Sequence, residues 1–374
     1  GMIMNKYKAE NLRMRQKHII WLMEAEELSK KTAAKAEADI SVFEEFLGNR
    51  SLKKLTSDQI ISFKHKLKNS GISVSTYCSR IRNIRRYLNW LMLQKGYKQS
   101  INPALIKYMS VNKEDKRIAQ LPRYRDSIPL TAVYNLIKSI PNDNPIDMRD
   151  RAIISLLLTT GIRHKALVTL PIGCVHLSDR YIDQDPRRGV DTKFSKRIMS
   201  VICLIDDAFI QCLNDWDSYL RQNGYRDTDP FIPKARQIID PETRSFKRAT
   251  EVEPKYWKSH RSLHDVLRKR FQDAGIPYYS PHSFRHLLVK LAKEADLTSK
   301  QSKCFSQSLG HENEDTTYGS YGKFSEEEYI SSVKGIDFSR EGTKFKLPSS
   351  LDDLEKIIEE KVDHFAFFFH QLSD

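Results

Sequence analysis

Apolar positions in the first 110 residues recur at helical spacing. Residues 8 to 27 carry Leu12, His18, Ile19, Trp21, Leu22 and Met23, the pattern of one helix. A second helix is expected after Lys31, with Ile40, Phe43 and Phe46, stopping near Gly48. Thr56 and Gln59 have the spacing of a capping box, so a third helix starts there and runs to the break at Asn69-Ser70-Gly71. A fourth is expected from Thr76 to Gln94, with Ser75 as its N-cap. Tyr77, Ile81, Ile84, Leu88 and Leu91 form one apolar stripe on it, while Ser79, Arg82, Arg86 and Asn89 fall on the opposite face.

A charged stretch with Pro122 and Pro129 then breaks the pattern, since proline disfavours helix before it. Thr131 is expected to cap a helix from Ala132 to Ile140, and Asp147 another that ends at Gly161. The Val-, Thr- and Ile-rich region Val190 to Ile205 predicts strands around a turn at Phe194-Ser195-Lys196. Helices are expected again over Asp206 to Gln222, over Tyr256 to Ala274, and from Ser280-Pro281, where serine caps and proline is preorganised for the first turn. The tail from Leu351 to Leu372 ends in Phe365, Phe367, Phe368 and Phe369, an apolar face that needs a partner surface. The fold class is therefore mainly α, with a small β-sheet in a second domain. The expected division is a helical arm at 1–27, a helical domain at 28–111, a linker at 112–128, a second domain at 129–340 and a tail at 341–374.

Charge changes this picture from architecture to partner. The 374 residues carry 62 Lys and Arg against 48 Asp and Glu, a net charge of +14. Thirteen of those cations lie between Lys64 and Arg117, opposed there only by Glu114 and Asp115, so this segment alone nets +11. Such concentration suits a polyanion, because each contacted phosphate releases condensed counterions. The candidate DNA contacts are Lys64, Lys66, Lys68, Arg80, Arg82, Arg85, Arg86 and Asn89. Long cations reach phosphates, and Arg and Asn also reach base edges. The longest apolar run, Ala152 to Leu158 with Ser155 inside it, is far shorter than the roughly 20 residues of a membrane span. Five scattered cysteines without a C-x-x-C pair argue against a zinc knuckle or disulfide framework and suggest a reducing cytosol.

Four short stretches carry candidate chemistry: Thr159-Thr160-Gly161-Ile162-Arg163, Asp191 to Arg197, Pro281-His282-Ser283-Phe284-Arg285-His286, and Leu309-Gly310-His311 with Thr316 to Gly322. Each alone is weak, and all four in this order are specific. In them the chain resembles the tyrosine recombinases, or phage-type integrases, over nearly its whole length. The resemblance implies a SAM-like core-binding domain ahead of a catalytic domain that cuts and rejoins DNA through a 3′-phosphotyrosine. It places the catalytic set on Arg163, Lys193, His282, Arg285, His311 and Tyr321.

In that scheme Tyr321 attacks the scissile phosphate, Arg163 and Arg285 clamp its oxygens, and Lys193 protonates the leaving 5′-oxygen. His282 assists deprotonation of the phenol, and His311 donates to the phosphate. Lys196 is the alternative acid and Tyr318 the alternative nucleophile. The family's acidic residue three after the first arginine is Ala166 here. The resemblance further implies double-stranded DNA with a specific site, and a homotetramer on paired sites that is a monomer or weak oligomer when free. It calls for no metal or cofactor. It suggests a bacterial, cytoplasmic, nucleoid-associated enzyme of a prophage or other mobile element. A catalytically weak, integrase-like DNA-binding regulator is the alternative.

Overall fold

The computed structural model describes residues 2–121, 127–310 and 324–338. Chain contacts divide it into two units, Gly1–Tyr124 and Arg125–Asp374. The described residues are mostly helical, with small sheets confined to the second unit.

The first unit holds α1 (Met2–Glu24), α2 (Lys30–Phe46), α3 (Ser57–Lys68), α4 (Val74–Leu91), the short α5 (Pro103–Ile106) and α6 (Lys113–Gln120). The capping box at Thr56 and Gln59 opens α3. The N-cap of α4 is Ser73 rather than Ser75: Ser73 accepts from the Thr76 amide, so the helix begins two residues earlier than expected. That stripe is buried, against Phe43, Ile60 and Phe63. α1 packs on α2 and α4, burying Met14, His18 and Leu22. The segment expected to be a linker opens as a helix, because Asn112 caps α6 and α6 packs on α4.

The second unit begins with α7 (Leu130–Ser139), α8 (Pro145–Thr160) and α9 (His164–Val168). Pro129, not Thr131, stands at the N-cap of α7. Asn144 caps α8, with Pro145 in its first turn, and Asp147 serves elsewhere. Its carboxylate pairs with Arg270, which also binds Asp150, at 2.8 Å each. α8 is buried along most of its length and forms the spine of the unit.

A three-stranded antiparallel sheet follows, in the order β1 (Val175–His176), β2 (Tyr181–Gln184), β3 (Ile198–Val201). The expected hairpin is present, but its first arm is β2 and not Val190–Thr192. Pro186 and the left-handed Gly189 (φ 89°) divert the chain, so residues 185–197 form a long irregular loop. Arg197 closes its base on Asp183 through two bonds of 2.9 Å.

After α10 (Asp207–Gln222) comes a feature with no counterpart in the sequence reading. Two nested two-residue ladders pair β4 (Lys234–Ala235) with β7 (Val252–Glu253) and β5 (Ile238–Ile239) with β6 (Phe246–Lys247). The chain ends its described course in α11 (Arg261–Asp273), α12 (Pro281–Glu294), α13 (Ser299–Ser308) and α14 (Glu326–Lys334).

Candidate active site

The first motif lies at the end of α8. Thr159 and Thr160 turn their hydroxyls back to the Ser155 and Leu156 carbonyls, and Gly161 ends the helix at φ 64°. A Cβ there would lie 2.8 Å from Leu309 Cδ2, so both the left-handed backbone and the close approach require glycine. Arg163 is then the N-cap of α9, half-buried, and burial lowers its pKa. Among the described residues it has no ion-pair partner.

The third motif opens α12 behind Ser280 and Pro281. His282 is exposed, and its ring meets that of His286 edge-on at 4.6 Å. Arg285, on the same helix, is buried. Its Nη1 donates to the Gly161 carbonyl at 2.7 Å and its Nη2 to the Leu309 carbonyl at 2.5 Å. One guanidinium thus ties three of the four motif-bearing segments together. Burial, and then the charge of Arg163, push its pKa down to about 9. The two arginines are therefore electrostatic neighbours, and no carboxylate pairs with either among the described residues. Ala166, buried on α9, puts a methyl group where the family resemblance expects an acid.

Gly310 (φ 72°) presses on β3, where a Cβ would lie 2.6 Å from Ile198 Cδ1. His311, Tyr318 and Tyr321 lie outside the described residues. Lys193 stands exposed on the β2–β3 loop, its Nζ 5.1 Å from the Phe194 ring centroid. No contact between Lys193 and either arginine is described. The structure thus brings together Arg163, Arg285 and the helix bearing His282.

A histidine group that no sequence motif indicates lies beside Arg163. The His164 ring lies 4.9 Å from His260 and 5.2 Å from His264, and His264 Nδ1 is 2.8 Å from the Tyr278 hydroxyl. Nothing in the spacing of these residues, nearly 100 apart, signals their meeting. Among the described residues no group of His, Cys, Asp or Glu side chains is arranged to hold a metal ion.

The basic set of the first unit divides. Lys64 donates to the Tyr108 carbonyl, Lys68 pairs with Asp115 at 2.7 Å, and Arg80 pairs with Asp39 at 2.9 Å. Lys66 lies over the Phe46 ring. Arg82, Arg85, Arg86 and Asn89 instead line a groove of about 370 Å³ with Trp21, Trp90 and Leu93. Half of the set is therefore gathered on one face.

The profile of the phage integrase family matches residues 130–328, more than half of the chain, and that of its N-terminal SAM-like domain matches residues 17–95. The chain belongs to the phage integrase family of tyrosine recombinases. A tyrosine recombinase XerC of Chromobacterium violaceum is 28% identical over 148 residues, 40% of this chain and 46% of that protein. The chain spans under half the length of that relative. A XerC of Actinobacillus succinogenes is 25% identical over 307 residues, 81% of this chain and 90% of that one. Among solved structures, a lambda integrase tetramer bound to a Holliday junction matches with a TM-score of 0.50 and 14% identity, over 82% of this chain and 79% of that one. The Tn1549 transposon integrase with a circular-intermediate DNA also gives 0.50 and 14%, over 81% and 92%. These likenesses place the integrase fold on both units. No helix among the described residues is long and apolar enough to cross a membrane.

Proposed function

We propose that this integrase-family chain is a site-specific DNA recombinase of a mobile element, acting through a 3′-phosphotyrosine on Tyr321. The observation that carries the reading is the adjacent pair Arg163 and Arg285, both desolvated and neither paired with a carboxylate among the described residues. A phosphodiester passing through a pentavalent state gathers charge on its non-bridging oxygens, and forked, always-charged donors answer it. Tyr321 forms the new P–O bond as the 5′-oxygen of the next nucleotide leaves with a proton from Lys193. His282 draws the proton from the phenol, and His311 donates to the phosphate. The bond energy stays in the tyrosyl ester until the 5′-hydroxyl of the exchanged strand attacks it, so no nucleotide cofactor is spent.

Arg82, Arg85, Arg86 and Asn89, gathered on one groove, are the candidate contacts to double-stranded DNA. The reading takes 28–111 as the core-binding domain and 129–340 as the catalytic domain, joined by 112–128. The helical element 1–27 packs on the first of these. The tail at 341–374 lies outside the described residues; its phenylalanines suit a neighbouring protomer in a homotetramer on paired sites, in the bacterial cytoplasm at the nucleoid.

One observation favours a second reading, a catalytically silent DNA-binding regulator: the buried Ala166 leaves the arginine pair without the family's acid. A nicked duplex separates the two. Duplexes selected from random sequence on the intact chain are nicked so that the 5′-hydroxyl fragment diffuses away. A covalent adduct from the wild type, lost in Tyr321→Phe, is the expected result. Tight binding without adduct establishes the regulator.

A further inference from the structure

One edge of β3 pairs with β2, while the other meets the ends of α8 and α13 and, among the described residues, no further strand. The Val201 amide donates to the Ser308 hydroxyl at 2.9 Å, the Ser200 hydroxyl to the Ser308 carbonyl at 2.6 Å, and the Cys203 amide to the Thr159 carbonyl at 2.9 Å. Thr159 lies two residues before Gly161, and Ser308 lies one residue before Leu309. Gly161 and Leu309 supply the two carbonyls that hold Arg285. The bonds form a closed circuit: β3 spaces the ends of α8 and α13, and the Arg285 guanidinium bridges the same two ends from α12.

Most links in this circuit are made by backbone amides or by Arg285 itself. The Ser200 hydroxyl is different. It accepts from Gln184 Nε2 at 2.8 Å, which directs its single proton to the Ser308 carbonyl. Gln184, Ser200 and Ser308 are all buried, so water cannot substitute. The Ser308 carbonyl is one of the last-turn carbonyls of α13, which have no partner within the helix. The Leu309 carbonyl lies in the next peptide plane, hinged to the first at the Leu309 Cα, whose φ −83° and ψ −7° continue the helical course. Fixing the first restricts the second, and the second sets one arm of the guanidinium.

We propose that Ser200 is a positioning residue for the Arg285 clamp, acting through the consecutive carbonyls of Ser308 and Leu309. The proposal rests on the strand-transfer reading above. Ser200 touches no substrate. Its hydroxyl holds the end of α13 at the height where Arg285 reaches both its carbonyls and its phosphate. A displacement of about 1 Å at a clamp is enough to lower a rate by about 100-fold.

The test uses the full chain and the selected, nicked duplex, and measures single-turnover adduct formation beside duplex affinity. Ser200→Ala is expected to lower the adduct rate by about 10- to 100-fold with less than about a threefold change in Kd. Ser200→Thr, which keeps the hydroxyl, recovers most of that rate. In an Arg285→Lys background, Ser200→Ala adds less than about a twofold loss, because both changes strike one unit. A wild-type rate in Ser200→Ala overturns the proposal, and so does an equal loss in both backgrounds, which marks a separate structural role. If Ser200→Ala does not fold, the isosteric pair Ser200→Thr and Ser200→Val makes the same comparison. Absence of adduct from the wild type itself overturns the strand-transfer reading and this proposal with it.

Discussion

Two arginines of the second unit are buried to nearly the same degree, Arg270 at 5% exposure and Arg285 at 4%, and they are held in opposite ways. Arg270 on α11 meets Asp147 and Asp150 of α8, and Asp150 also holds Arg149. Burial works to lower the pKa of Arg270, but the two carboxylates outweigh it and raise the value. Among the described residues Arg285 on α12 meets only backbone carbonyls, and burial together with Arg163 lowers its pKa. The first is a charge completed by the fold. The second has no anion beside it among the described residues, which is the condition of a group kept for a ligand. Burial alone therefore does not separate a structural arginine from a functional one; the counter-charge does.

The largest stability effect belongs to the completed site. Arg270→Ala leaves two buried carboxylates with one cation fewer, and removal of one partner from such a cluster costs about 3–5 kcal/mol. Denaturant unfolding of the second unit is expected to show that loss, while adduct formation well below the transition stays near wild type. A loss under about 1 kcal/mol would mean the carboxylates are solvated and the contrast is not real.

Next comes the open site. Arg285→Ala is expected to lower the adduct rate by about 100- to 1,000-fold, as when one donor to a developing oxyanion is removed. Because no carboxylate pairs with it among the described residues and Arg163 repels it, the loss of stability is expected to be far smaller than for Arg270→Ala. A fall in activity that follows unfolding temperature, variant by variant, would place Arg285 with Arg270 and erase the distinction.

The same contrast explains what could be read from the sequence. The stripe Tyr77, Ile81, Ile84, Leu88, Leu91 and the capping box at Thr56 and Gln59 are local patterns, and local patterns reach the structure intact. Helix starts slipped where two capping residues competed, as Ser73 with Ser75 and Asn144 with Asp147; geometry at the N3 amide decides, and Asp147 was taken by Arg270 from 123 residues away. The ladders of β4 to β7 escaped notice because two-residue strands carry no period. Within the site, the motifs named Arg163 and Arg285, but nothing local assigned Lys64, Lys68 and Arg80 to internal partners. Ser200 and the meeting of His164, His260 and His264 were equally illegible, since each depends on contacts across about a hundred residues of chain.

A third solution to a buried cation lies in the first unit and gives a smaller effect. His18 is fully buried among the rings of Trp21, Tyr87 and Trp90, and neither ring nitrogen has a partner. Burial, and then Arg86, push its pKa down to about 4. The unfolded chain therefore takes up this proton first as pH falls below about 6.5, so the stability tied to His18 is complete above that value and is lost towards pH 4. Glu44 runs the other way: burial pushes it up to about 7 against the pull of Arg15, so its contribution is complete below about 4.5 and fades as pH rises through 7. His18→Leu removes one slope and leaves the other. Between pH 6.5 and 4.5 the variant is expected to gain about 2 kcal/mol relative to wild type, read from urea midpoints at each pH. Parallel pH curves for the two proteins would show that His18 does not stay neutral.

The smallest effect tests the comparison without touching catalysis. An arginine pair with no counter-charge among the described residues should bind a small tetrahedral anion in the absence of DNA, whereas an arginine already neutralised should not. Inorganic phosphate at a few times its Kd is expected to stabilise the wild type by about 1 kcal/mol, from mass action on the folded state. Sodium chloride at matched ionic strength gives the control for screening of surface charge. The phosphate-specific increment should vanish in Arg285→Ala and survive in Arg270→Met, provided the latter folds at the temperature used. The basic groove of the first unit contributes a background to both, which Arg82→Ala and Arg86→Ala remove. An increment that persists in Arg285→Ala and disappears with the groove arginines would assign the anion to the first unit, and the lowered pKa of Arg285 would then reflect burial without a vacancy to fill.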